Sequence, residues 1–442
     1  MKVIGIIAEY NPFHNGHAYQ IKKIKETLQA DYVVVAMSGD FVQRGAPAII
    51  DKYARTEMAL CLGADLVIEL PVLWATASAE YFAMAGVTLF DKMGCVDGIC
   101  FGAETGDLDT LSMIADVLVE EPSDYRTALS SYLKGGLAFP AARSKALCDY
   151  FTESAVTCTH RNDVTDIDCI RSILNEPNNI LAIEYLKALK RKHSSITPHI
   201  IKREGAGYHE DTILTSANSK ETIPTASATA IRKELLEQIL ASRYSGITLS
   251  YDKLATAMPQ QTLDILKKYL TTESPIFSND FSPTLCYKLI CSDVKSLACI
   301  GDSNTELANR ILNNRSQFVS FEKYCELCKS KDITYTRLSR IFTHMILNIT
   351  EEDYSFAKSM DYIPYLRILG FQKTASPLLK ELKSNAQIPI ISKLADAASV
   401  LADDAMQLLQ KDIFAANLYA NICAIKTENA HSNEYSRNIV IL

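Results

Sequence analysis

The chain has 442 residues, too many for one hydrophobic core, so two or three domains are expected. Apolar residues make up 48% and charged residues 22%, which excludes a disordered chain. The net charge of −7 excludes a globally basic nucleic-acid binder, and no run approaches the roughly 20 apolar residues that cross a bilayer.

The first apolar run, Val3 to Ala8, stops at the acidic Glu9 with no small-residue cleavage site, so it reads as a strand rather than a signal peptide, and a cytoplasmic location is expected. A helix follows, with Ile21, Ile24 and Leu28 at helical spacing and Lys22, Lys23, Lys25 and Glu26 on the other face. Tyr32 to Met37 is a second buried strand. Lys52 to Leu62 is a helix stopped by Gly63. Leu66 to Leu70 is a strand interrupted only by Glu69, Ser78 to Phe90 a helix, and Gly98 to Phe101 a short strand. Residues 107 to 175 read as helical. Ile180 to Lys190 is an amphipathic helix, Ile196 to Lys202 a strand, Gly205 to Pro224 a loop and Ser227 to Leu240 a helix. From Ile247 helical periodicity dominates, as in Leu263 to Leu270, Leu338 to Ile346 and Ala397 to Leu409. The expected class is α/β: a Rossmann-like domain with a parallel sheet over residues 1–242, followed by a mostly α-helical domain over 243–442.

The strongest chemical signal is Glu9-Tyr10-Asn11-Pro12-Phe13-His14-Asn15-Gly16-His17, which follows the first strand and opens a helix. An open α/β sheet binds its ligand at such a strand end, where helix N–H groups favour phosphate. Two imidazoles in an HxGH arrangement suit the charge that builds on a polyphosphate during adenylyl transfer, and Gly16 removes a Cβ where close backbone approach is needed. A second segment, Thr225-Ala226-Ser227-Ala228-Thr229-Ala230-Ile231-Arg232, places a capping serine before an arginine one turn on.

These two segments resemble the HxGH nucleotidyltransferase-like superfamily. Further blocks narrow the match: Ser38 to Gly45, Asp51 to Arg55, Gly102-Ala103-Glu104, Pro177 to Leu181 and Ile201 to His209. Together they resemble the tRNA(Met) cytidine acetate ligase family over residues 1–240, and more loosely in Tyr335 to Ile346 and Pro364 to Phe371. Departures are Asp40 where Asn is expected, Tyr53 for Trp and Ala182 for Gly. The resemblance implies an ATP-dependent ligase that activates acetate as acetyl-adenylate and acetylates N4 of the wobble cytidine of elongator tRNA(Met). It implies ATP with Mg²⁺ bound by Ile7, Ala8, Glu9, Tyr10, Asn11, Pro12, Phe13, His14, Asn15, Gly16, His17, Ala18, Tyr19 and Gln20, with Gly102, Asn178 or Asn179, Arg203, Ser227 and Arg232. His14 and His17 are the expected catalytic pair.

Arg44 is the candidate for the acetate carboxylate, because its planar fork matches one. Lys52 and Arg55 are candidates for phosphate or RNA, and Asp40 for Mg²⁺. Arg337, Arg340, Arg367, Lys373, Lys380 and Lys383, with the basic stretch from Lys187 to Arg203, form the expected tRNA surface. The twelve cysteines are expected to be free, with Cys61, Cys100 and Cys299 in apolar surroundings. The lone Cys325–Cys328 pair lacks a second pair of ligands, so no metal site is expected. Neither a membrane nor an obligate protein partner is implied. The alternatives are another HxGH adenylyltransferase, an acetate–protein ligase similar to citrate lyase ligase, and a non-catalytic ATP- and RNA-binding protein.

Overall fold

The structure, a computed structural model, describes residues 1–157, 167–203, 226–245 and 248–442. The loop expected at 205–224, most of the Ile201–His209 block and Thr225 lie outside the described residues. The chain forms two compact units, residues 1–97 with 204–442, and residues 98–203.

The strands are β1 (Val3–Ala8), β2 (Tyr32–Ser38), β3 (Phe41–Val42), β4 (Ala46–Pro47), β5 (Leu66–Leu70), β6 (Gly98–Ala103), β7 (Thr197–Lys202), β8 (Leu366–Phe371), β9 (Ile390–Ile391) and β10 (Val440–Ile441). In the first unit the sheet order is β10-β8-β5-β2-β1, with β9 beside β8. β1, β2 and β5 run parallel, with Ala8 opposite Met37 and Ser38 opposite Leu70. Their carboxyl ends therefore open at one edge, where a ligand site is expected. β3 and β4 form a short antiparallel ribbon just beyond β2. In the second unit β6 and β7 pair in parallel, with Ala103 opposite Lys202.

The helix Ala79–Met93 lies against β1. A Cβ on Gly86 would stand 2.3 Å from Ile7 Cδ1, and one on Gly5 would stand 2.7 Å from the Phe90 ring. Each glycine lets a large neighbour from the facing element into its place, which fixes the height of β1 and of the turn that follows it.

The C-terminal stretch is mainly helical, but it also supplies strands that periodicity did not reveal. β8 runs antiparallel to β5, and β10 pairs with β8, so the sheet begun by residues 3–70 is completed by residues 366–441. β8 is hidden in the sequence because Arg367 interrupts its apolar run.

Arg367 is buried, and the structure shows what holds it there. Its Nη1 lies 2.8 Å from Glu69 Oε2, and its Nη2 pairs with Glu434. Lys52 Nζ lies 2.8 Å from Glu69 and 2.7 Å from Glu434. The Tyr53 hydroxyl donates to Glu434 at 2.9 Å. Burial works to raise the Glu434 pKa, but Lys52 and Arg367 outweigh it and hold the carboxyl down at about 2. Its contribution to stability is thus present above the ordinary carboxylate range and fades only as the pH falls toward 2. Arg367 and Lys52 are consumed by this network; Arg367 does not belong to an RNA-facing surface, nor is Lys52 available to phosphate.

Replacing Arg367 by Met strands Glu69 and Glu434 as buried charges that share only Lys52. The expected loss is about 3–5 kcal/mol of unfolding free energy, read from urea denaturation.

Candidate functional site

The turn after β1 is built around helix α1 (Asn15–Thr27). Tyr10 adopts a positive φ of 48°, uncommon for a residue with a side chain, and the Asn11–Pro12 peptide is cis. Asn11 Oδ1 accepts from the Ile49 N–H at 2.8 Å. Glu9 Oε1 accepts from the Gln43 N–H at 3.0 Å. Tyr10 and Phe13 are almost wholly buried, and their rings lie 4.8 and 5.4 Å from the His17 ring.

His14 is the N-cap of α1, and its imidazole does what Ser or Asp usually does. His14 Nδ1 accepts from the Gly16 N–H at 3.1 Å, while the His14 N–H donates to His17 Nδ1 at 3.2 Å. The two rings stack with centroids 3.7 Å apart. Both Nδ1 atoms are acceptors, so in each neutral ring the proton sits on Nε2. The cap thereby fixes two parallel imidazoles as Nε2–H donors. Each Nε2–H is then a donor suited to an anion.

Gly16 has a structural reason beyond ligand approach. A Cβ there would lie 3.0 Å from His14 Cε1 and 3.2 Å from His14 Nδ1. The glycine makes room for the capping imidazole. Asn15 donates from Nδ2 to the Thr256 carbonyl at 2.9 Å. Farther along α1, Tyr19 and Gln20 are half-buried, and Lys23 Nζ lies 5.5 Å from the centre of the Tyr19 ring.

The late motif arrives at the same turn. Ser227 Oγ accepts from the Ala230 N–H at 3.1 Å at the start of the helix Ala228–Ser245. Arg232 Nη1 donates to the Asn11 carbonyl at 2.7 Å, and its Nη2 to Thr229 Oγ1 at 3.0 Å. Arg44 joins this group electrostatically. Burial lowers the pKa of both arginines below the ordinary range; Glu9 favours the charged form of each, and Arg44 opposes that of Arg232. Two guanidinium groups thus interact with one carboxylate, and Arg232 reaches the turn that carries the imidazole pair, leaving a net positive charge suited to an anion.

Arg55 is not a phosphate or RNA residue. It is fully buried, and its donors go to the carbonyls of Glu9 at 2.7 Å, Ser38 at 2.9 Å, Ile50 at 3.1 Å and Gly39. Asp40 does not fit a Mg²⁺ ligand either. Its Oδ1 accepts from the Lys52 N–H at 2.8 Å, and it faces Lys52 Nζ at 3.8 Å and Arg55 at 4.0 Å. A cation would have to displace those two.

In the second unit, the expected nucleotide residues also gather. Gly102 lies near the end of β6, where a Cβ would stand 3.4 Å from Arg203 Cγ. The Arg203 N–H donates to the Ala103 carbonyl at 2.8 Å. Glu104, which sequence reasoning noted only as part of a block, receives the start of the helix Pro177–Arg191. It accepts from Asn178 Nδ2 at 2.5 Å and from the Asn179 N–H at 2.9 Å. Asn179 is 2% exposed, with its Oδ1 taken by the Thr105 N–H at 3.1 Å, whereas Asn178 is half-buried. In the basic stretch Lys187 is buried against Glu184 at 2.6 Å, which removes it from any RNA-facing set, and Lys190 pairs with Asp116. Elsewhere, Lys373, Lys380 and Lys383 are exposed, while Arg337 and Arg340 are bound to Asp302. Cys325 and Cys328 are buried in the helix Phe321–Cys328. Of the three cysteines expected in apolar surroundings, Cys100 is buried but Cys61 and Cys299 are exposed.

Residues 1–435 match the family model of the HIGH nucleotidyl transferases. The tRNA(Met) cytidine acetate ligase of Acetivibrio thermocellus is 38% identical over 446 aligned residues that span 100% of both chains. That of Clostridium perfringens is 41% identical over 420 residues, 95% of each chain. The chain belongs to the tRNA(Met) cytidine acetate ligase family. The crystal structure of Thermotoga maritima TmcAL bound with alpha-thio ATP superimposes with a TM-score of 0.87 at 28% identity, and the apo form with 0.88 at 29%, each over the full length of both chains. The α/β nucleotidyltransferase fold with a helical C-terminal region is therefore that of the tRNA(Met) cytidine acetate ligases. No helix among the described residues is long and apolar enough to cross a membrane.

Two predictions follow from this geometry. Gly16→Ala pushes the His14 ring off the Gly16 N–H, and ATP affinity measured by calorimetry is expected to fall about fivefold, the worth of one net hydrogen bond. Asp40→Asn tests the buried carboxyl. Burial lifts the Asp40 pKa to about 6, against the pull of Lys52 and Arg55 and with a push from Glu434. A raised folded-state pKa means that stability declines as pH rises from the ordinary carboxylate range through about 6. The Asn variant is expected to be more stable than the parent at pH 8, with the gain shrinking below pH 6; thermal unfolding across that range reads it.

Proposed function

We propose that this chain activates acetate with ATP and transfers the acetyl group to N4 of the wobble cytidine of elongator tRNA(Met). The observation that carries the reading is the stacked His14–His17 pair, held as two Nε2–H donors where β1 ends and α1 begins, in a chain whose full-length relatives bear that ligase name.

An acetate oxygen attacks the α-phosphorus of ATP. The bond between that phosphorus and the oxygen bridging to the β-phosphate breaks, and pyrophosphate leaves with the electron pair. His14 and His17 donate from Nε2 to phosphate oxygens as negative charge shifts toward the leaving group. Arg232, anchored on the Asn11 carbonyl, adds fixed positive charge beside them. Arg44 holds the acetate carboxylate before attack. Mg²⁺ enters with the triphosphate as part of the substrate, and Asp40 takes no part in holding it. Ile7, Ala8, Tyr10, Pro12 and Phe13 support the turn, while Asn15, Ala18, Tyr19, Gln20 and Ser227 shape its rim.

Gly102, Asn178 and Arg203 are assigned to ATP as well. Asn178 is preferred to Asn179 because the Asn179 side chain is buried and already accepts from Thr105. In the second step the cytidine N4 attacks the acetyl carbonyl carbon, AMP departs and N4 loses a proton. Placement of the weakly nucleophilic amine supplies much of that rate. Lys373, Lys380 and Lys383 are the assigned contacts for tRNA phosphates, and the cytoplasm is the assigned compartment.

The test is pyrophosphate release by the purified chain with ATP and acetate, followed by nucleoside analysis of added tRNA. Acetate-dependent release with N4-acetylcytidine is expected. Release without acetylcytidine would move the acceptor to another molecule, and ATP binding without any release would leave a non-catalytic nucleotide binder. Arg44→Ala is expected to raise the acetate KM at least about tenfold with the ATP dissociation constant unchanged; an unchanged acetate KM would remove Arg44 from the acetate site.

A further inference from the structure

A second cluster in the first unit has no role in this chemistry. Glu273 directly follows the helix Gln260–Thr272, Cys423 lies near the end of the helix Asp403–Thr427, and His431 sits in the segment just beyond that helix. Cys423 Sγ lies 3.2 Å from Glu273 Oε2, and His431 Nε2 lies 3.3 Å from the same oxygen. One donor atom from each of the three falls within 4.8 Å of the others. His431 Nε2 is buried and makes no hydrogen bond among the described residues, although it faces the carboxylate. A cavity of about 30 Å³, lined by these three residues with Asp51, Tyr269 and Ser432 among others, adjoins them.

We propose that Glu273, Cys423 and His431 form a binding site for a zinc-class divalent metal ion. Ligand bonds of roughly 2.0 Å to nitrogen and oxygen and 2.3 Å to sulfur, arranged as a tetrahedron, place neighbouring donors roughly 3.3–3.7 Å apart. The carboxylate already stands near that spacing from both other donors. One thiolate, one imidazole and one carboxylate select a borderline-soft ion rather than Mg²⁺ or Ca²⁺. The cavity has room for the ion with a water as fourth ligand. Cys423 is a free, buried thiol. Binding therefore forms the metal–sulfur bond, breaks the S–H bond and releases one proton to solvent. The Ser274 N–H, which donates to Sγ at 3.4 Å, is placed to steady the thiolate.

The site would tie three elements together beside the segment that delivers Glu434 to Lys52 and Arg367. It is a structural clasp whose occupancy depends on the reduced state of one thiol.

The full chain, reduced and stripped with a chelator, is titrated with Co²⁺ in place of zinc. One ion per chain is expected, with a thiolate-to-cobalt charge-transfer band in the near ultraviolet and the intense visible bands of tetrahedral cobalt. Cys423→Ser is expected to abolish the charge-transfer band, and His431→Gln to weaken binding at least about tenfold. Cys325→Ser, a cysteine away from the cluster, is expected to leave both unchanged. Absence of the thiolate band in the parent chain would overturn the proposal, as would its persistence in Cys423→Ser. Should Cys423→Ser fail to fold by circular dichroism, His431→Gln decides alone, with undiminished affinity counting against the site.

Discussion

The Arg55 guanidinium carries the geometry of the active end of the molecule. It is fully buried, yet among the described residues it faces no carboxylate closer than 4.0 Å; its donors go to backbone carbonyls at the ends of β1 and β2 and before the helix Lys52–Cys61. Such carbonyls, removed from water and left without partners, would each cost about 1–3 kcal/mol. One permanently charged planar group satisfies four of them. With the Glu9 carbonyl pinned, the chain has a fixed departure from β1. The positive φ of Tyr10, the contact of Asn11 with Ile49 and the position of the His14 cap all build on it.

A second buried charge cluster adjoins the first through Asp40 and organises β5 and β8. Lys52, Glu69, Arg367, Tyr53 and Glu434 come from segments far apart in sequence, and no pair alone would justify its burial. Their joint effect is to admit β8, with a charged residue in its middle, beside β5. Stability and site geometry are linked through the helix Lys52–Cys61, which carries Lys52 into one network and Arg55 into the other.

Local signals made much of this legible. Continuous Val- and Ile-rich runs gave β1, β2 and β5, and the HxGH segment at the close of β1 gave the turn before α1. The arginine of the late motif meets that turn, which only the fold demonstrates, through the Asn11 carbonyl. What the sequence concealed was pairing at long range. Arg367, Lys52, Arg55 and Lys187 look like solvated cations when read alone, because the groups that bury them, from Glu184 one turn before Lys187 to Glu434 at the far end of the chain from Lys52, are brought together only by the fold. The same blindness hid β8 and the meeting of Glu273 with Cys423 and His431. A short-range CxxC drew attention instead, although its thiols sit within one packed helix.

In the proposed function, backbone capping presets both imidazoles as Nε2–H donors for the triphosphate. Nitrogen-15 spectra of the histidine rings, assigned to His14 and His17 by substitution and followed while ATP is added, test it most directly. An unprotonated Nδ1 and a protonated Nε2 are expected for both rings before ATP arrives, with the Nε2 signals moving as it binds. A proton on Nδ1 of either ring, or Nε2 signals that stay fixed while ATP binds, would contradict it.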